Sequence, residues 1–133
     1  MSTFENIPKI ITSNIKTDSE YNNEYIVNYN TIMRLGWKYF DNTTIMAIRF
    51  FNNINAHKIY FAGFDGYTTN KENSYSDSLL RLSLSTNEMQ ELNEDIFAML
   101  KDFKERNKGK LKLDFVTTSP FSSVFKSEEY INV

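Results

Sequence analysis

Residues 63–67 read Gly-Phe-Asp-Gly-Tyr, so one carboxylate stands between two of the chain's four glycines. Glycine permits left-handed backbone and close approach of another group. A carboxylate set there can accept hydrogen bonds from a ligand hydroxyl or from loop N–H groups. Asn14, Asn28, Asn42 and Thr117 each follow an apolar run or open a helical pattern, and each can donate and accept hydrogen bonds. With Gly63, Asp65 and Tyr67 they form a candidate rim for a polar ligand with an anionic part, since helix N-termini suit phosphate. The same residue types are also the ordinary vocabulary of turns. Catalytic chemistry finds no inventory. His57 is the sole histidine, and cysteine is absent. His57 lies between a helix and the central strand, at the opposite end of the sheet from the rim, which argues against His-based triads and most zinc sites. The lack of cysteine excludes disulfides and thiolate metal sites. No catalytic residue and no metal ligand set is identified.

The bulk composition narrows the class further. A chain of 133 residues with 41 % hydrophobic and 15 % aromatic residues can bury a core, and its length suits one domain spanning 1–133. The net charge is −2. Lys101, Lys104, Arg106, Lys108, Lys110 and Lys112 alternate with Asp102 and Glu105, which reads as a solvated helix end. No nucleic acid partner is expected. No apolar run is long enough for a membrane span, and residues 1–10 lack the pattern of a signal peptide, so the expected compartment is cytoplasmic.

The elements that must position the rim follow from periodicity. Lys9–Asn14 and Glu24–Tyr29 are short β-branched or apolar runs ending at turn residues, hence strands followed by loops. Residues 30–40 fit no single pattern. Asp41-Asn42-Thr43-Thr44 is a helix start, and Met46, Ala47, Phe50, Phe51 and Ile54 give a helical face over about 42–55. Lys58–Phe64 reads as a central parallel strand covered on both faces. A short helix is expected at Asp77–Leu82. Ser85 and Glu88 match a capping box. Met89, Leu92, Ile96, Met99, Leu100 and Phe103 then line a long helix that stops at Gly109. Lys110–Val116 is a strand, and Phe121–Phe125 a closing turn. Strands alternating with helices imply an α/β fold: three-layer, mostly parallel, Rossmann-like, with ligands beyond the carboxyl ends of the strands. The absence of G-x-G-x-x-G and the polar opening mark it as an incomplete domain.

The stretch NTTIMAIRFFNNINAHKIYFAGFDGYTTNKENSY resembles a helix–strand–loop segment of the bacterial family 42 sialyltransferases, with the likeness running over residues 41–125. In that family two tyrosines after the strand contact the phosphate of the departing nucleotide, which implies that role for Tyr67 and Tyr75. The family's histidine base has no counterpart in Ser83–Asn87, so the resemblance implies binding, not transfer. A wider set, IITSNI, YIVNYN, FDNTTIMAIRFF, KIYFAGFDGY and VTTSPF, resembles a Rossmann-like domain appended to aldolases of the 4-hydroxy-2-oxovalerate aldolase / HMG-CoA lyase-like superfamily. That likeness implies an accessory domain of an aldolase in bacterial surface-polysaccharide metabolism. Its partners would be the N-terminal aldolase barrel of the parent chain and a small anionic metabolite or sugar nucleotide. No cofactor is implied for this chain, and a divalent metal would belong to the barrel. The alternatives are a glycosyltransferase-like enzyme domain and a structural module forming a homo-oligomer.

Overall fold

The computed structural model describes residues 7–16, 24–67 and 84–125. It is mixed α/β and divides between Leu35 and Gly36 into two compact units. The first holds β1 (Lys9–Thr12), β2 (Glu24–Val27) and a single helical turn, α1 (Tyr29–Ile32). The second holds α2 (Thr43–Asn53), β3 (Lys58–Phe61), α3 (Thr86–Asn107), β4 (Lys112–Phe115) and a 3-10 turn at Pro120–Val124. The expected Asp77–Leu82 helix lies outside the described residues.

The parallel pairing expected from element order is present in two places. β1 pairs with β2 in the register Lys9↔Glu24 to Thr12↔Val27, and β3 pairs with β4 in the register Lys58↔Lys112 to Phe61↔Phe115. The described strands form two two-stranded sheets. Strand β2 ends at Val27, short of the expected Tyr29, because the Asn28 side chain accepts the Asn30 N–H and turns the chain into α1.

In the second unit α3 is the spine. Its Ser85–Glu88 capping box forms as the sequence indicates: the Ser85 hydroxyl accepts from Glu88 N–H (3.3 Å), and the Glu88 carboxylate accepts from Ser85 N–H (2.8 Å). The helix ends at Lys108, which is left-handed (φ 49°), followed by Gly109. Ile96, Met99, Leu100 and Phe103 form its buried stripe and meet Ile45 and Ile48 of α2, together with Leu111, Phe121 and Val124. Burying side chains of this size contributes roughly 1.5–3 kcal/mol each.

The buried face of α2 differs from expectation. Ile45, Ile48 and Arg49 are buried, whereas Ala47 and Ile54 are exposed. The periodic reading passed over Arg49 because a cation does not count as core. Arg49 is buried because Asp41, equally buried, forms an ion pair with it. Asp41 is therefore committed inside the fold and is not part of an open rim. Strand β3 also departs from expectation. Ile59 and Phe61 pack on the core, but Tyr60 is 62 % exposed and Lys58 faces solvent. The sheet is covered on one face, so β3 alternates as a half-buried strand does.

Candidate functional site

The exit of β3 is fixed to its surroundings by side chains from three places. The ladder runs from Lys112 N–H to the His57 carbonyl (3.0 Å) up to Val116 N–H on the Phe61 carbonyl (2.9 Å). The next rung is a side chain: Gly63 N–H donates to the Thr117 hydroxyl oxygen at 2.9 Å. The buried Ser119 hydroxyl donates to the Phe64 carbonyl. Asn93, on α3, completes the hold. Its amide oxygen accepts from Tyr67 N–H and its amide nitrogen donates to the Tyr67 carbonyl, both at 2.8 Å. That pair reproduces the two bonds of a strand neighbour.

Gly66 lies under this clamp. Its φ is +75°, and a Cβ there would sit 2.5 Å from Asn93 Oδ1 and 2.9 Å from Phe121 Cζ. Gly63, at φ +70°, has open space where a Cβ would go, so it is needed for its backbone angle alone. The two glycines thus serve different ends. One lets the strand turn, and the other lets helix and ring close on the loop.

What the fixed backbone presents is Asp65. It is exposed, between a pinned Phe64 and a packed Gly66. Exposed Thr118 and the Thr117 hydroxyl lie at the end of the neighbouring strand. Having accepted from Gly63, the Thr117 hydroxyl still has its proton to donate. Tyr67 is half-buried with its side chain against the core. Tyr75 lies outside the described residues. A groove of about 1050 Å³ begins at Thr117–Ser119 and runs back along β4 past Lys112, Lys108 and Lys104.

Asn42 accepts from the N–H groups of Thr44 (2.9 Å) and Ile45 (3.3 Å), so its amide oxygen is spent capping α2. Asn14 and Asn28 belong to the first unit, in the turns after β1 and β2. There Ser13 N–H donates to the Val27 carbonyl (2.8 Å), and the Ser13 hydroxyl accepts from Tyr29 N–H (3.0 Å). His57 is exposed at the opposite end of β3 from Gly63.

Sequence reasoning missed Asn93 and Asn107. Both occur in the spacing Met89, Asn93, Ile96, Leu100, Phe103, Asn107, an apolar stripe in which two members are amides. A polar side chain on a buried stripe needs a partner, and that was the available signal. It also missed a tether at the other end of α3. The Tyr39 hydroxyl donates to Glu91 at 2.6 Å and Tyr39 N–H donates to Asp95 at 2.8 Å, while Lys38 pairs with Glu91. The hydrogen bond to the Glu91 carboxylate pushes the Tyr39 phenol up to about 12, and Lys38 holds Glu91 below the usual carboxylate range. A phenol so held keeps its proton at neutral pH. The cluster ties residues 38–39 to the helix. Among the described residues no group of His, Cys, Asp and Glu could hold a metal ion, and no helix is long and apolar enough to cross a membrane.

No family model matches the chain, and neither the curated proteins nor the solved structures contain a significant match to it.

Proposed function

We propose that this protein binds a small hydroxylated, anionic metabolite at the carboxyl edge of β3 and β4, and that it does so without catalysing a reaction. One observation carries this: the β3 exit is held by Thr117, Ser119 and Asn93 while the carboxylate at its tip, Asp65, is left exposed. Ordering a loop in advance lowers the entropic cost of binding. Asp65 would accept from ligand hydroxyls, and Thr117 would donate from its free proton. An anionic group cannot sit beside Asp65 without cost, so it would lie along the groove towards Lys112.

A sugar nucleotide has both parts, and with it come the fuller expectations. These are a Rossmann-like three-layer domain in its complete form, an accessory role beside an aldolase barrel, phosphate contacts from Tyr67 and Tyr75, and a cytoplasmic site of action. Support for them is the sequence likeness of the KIYFAGFDGY and VTTSPF segments. Titration calorimetry against a panel of nucleotides and sugar nucleotides tests the proposal. Binding by the wild type that is lost in Asp65→Asn, with the melting curve unchanged, is the expected result. Absence of binding across the panel, or binding indifferent to Asp65, would sink it.

A further inference from the structure

The chain carries a net charge of −2, yet its charges are not spread evenly. The groove beside β4 is lined by Lys58, Lys104, Lys108 and Lys112 against one carboxylate, Asp114. That carboxylate is already taken: Lys58 Nζ lies 3.0 Å from one oxygen, and Phe115 N–H donates to the other at 3.0 Å. Lys58 also stands over the Tyr60 ring, 4.5 Å from its centre. Lys104 donates to the Val124 carbonyl at 3.0 Å. Lys108 and Lys112 differ from both. Among the described residues neither makes a hydrogen bond or ion pair through its side chain. Helix ends attract cations, which accounts for Lys108 at the close of α3. It does not account for Lys112. That residue sits on β4 directly opposite Lys58, where neighbouring strands are about 4.8 Å apart. Like charges so placed destabilise a sheet. Lys58 turns to Asp114 and Tyr60, and Lys112 is left lining the groove with no counter-charge. An anion at that end would offset the repulsion and give both uncommitted lysines a partner.

The other end of the groove is uncharged. Thr117, Thr118 and Ser122 bring hydroxyls to it, and Thr117 holds the loop that carries Asp65. Thr117 is five residues from Lys112, about 16 Å of extended backbone. A lysine side chain extended fully towards the rim spans about 6 Å, so about 10 Å remains. We propose that the anion of the bound metabolite is a diphosphate, seated between Lys108 and Lys112, with the hydroxylated group reaching back to Thr117 and Asp65. The inference rests on the binding reading given above and narrows it to ligands of the nucleoside diphosphate-linked class. A single phosphate on the hydroxylated ring bridges the remaining gap only with its contacts stretched. A diphosphate covers that length and offers oxygens to both lysines at once. Asp114 does not oppose it, because Lys58 already neutralises that carboxylate.

Titration calorimetry at fixed ionic strength tests it with three probes: a uridine diphosphate hexose, the matching hexose 1-phosphate and uridine monophosphate. The diphosphate-linked hexose should bind about tenfold more tightly than either single-phosphate probe, the worth of one charge-assisted contact. Lys112→Gln should remove most of that advantage and leave the single-phosphate probes unchanged. Asp65→Asn should weaken both hexose-bearing probes and not uridine monophosphate. If Asp65→Asn does so while all three probes bind equally, or while the advantage is indifferent to Lys112→Gln, the diphosphate assignment alone is overturned. No binding by any probe ends both readings. Lys112→Gln also gives an answer without ligand. Relief of the repulsion from Lys58 should leave its melting temperature equal to or above that of the wild type. A clear loss would contradict the proposal, because it would mean that Lys112 already has a partner in the fold.

Discussion

Helix α3 makes the same bond pattern at its two ends, and the two copies of it do different work. Near its C-terminus Asn107 is buried and clamps Leu111, four residues on, itself buried in the core. Nearer its N-terminus Asn93 is half-buried and clamps Tyr67, which is 26 residues away and adjoins an exposed loop. At about 1.5 Å per residue the two amides sit roughly 21 Å apart along one face. The Asn107 clamp closes a tight helix-to-strand connection, so everything it holds is structural. The Asn93 clamp holds a segment whose neighbour, Asp65, makes no contribution to packing. A clamp on something that does not itself need to be buried points to a held geometry, and held geometry is what a binding loop requires.

The largest effect should come from breaking the structural clamp. Asn107→Ala leaves the Leu111 N–H and carbonyl without partners in a buried setting. It should destabilise the second unit by about 3 kcal/mol, read as a lower urea midpoint at constant m. Gly66→Ala comes next. The added Cβ meets Asn93 and the fully buried Phe121 and sits at positive φ, so a loss of about 2 kcal/mol is expected in the same assay. Gly63→Ala, strained in backbone alone, should cost about 1 kcal/mol. If both glycine variants are equally harmful, the packing distinction between them is wrong.

A smaller and pH-dependent effect sharpens the same picture at the start of α3. The Ser85 hydroxyl, and then its N–H, hold the Glu88 carboxyl below its ordinary value of 4.5. A depressed carboxyl contributes stability that is full above the ordinary value and lost as pH falls through the lowered one. Acidification below about pH 4.5 should therefore fray the first turn of α3 before the Asn107 end responds, seen as faster amide exchange at Glu88 and Met89. Ser85→Ala should remove most of that pH dependence.

Much of this was legible in the chain, and the failures share a cause. The capping box announced the start of α3, the alternation of Leu111, Leu113 and Phe115 announced β4, and Asn42 announced α2, because each signal is local. The division of the described strands into two pairs was not legible, because strand pairing joins residues far apart in sequence and element order does not fix it. The buried Arg49 was hidden because its burial depends on Asp41 eight residues earlier. The candidate site was half legible. Gly63, Asp65 and Thr117 emerged from their types and places, and the Gly63–Thr117 hydrogen bond joins two of them. Asn93 did not emerge, since its partner lies in a loop that no helical pattern can point to.

The held loop is the claim on which the rest depends, and amide exchange at Tyr67 tests it most directly. Tyr67 lies outside any strand, so an unclamped amide there would exchange at nearly the rate of an open chain. The clamp predicts that Tyr67 N–H is protected in the wild type to a degree approaching the β3 ladder. It further predicts that Asn93→Ala releases Tyr67 while Leu111 N–H stays protected by Asn107. Rapid exchange at Tyr67 in the wild type, or a loss of protection at Leu111 together with Tyr67, would contradict it.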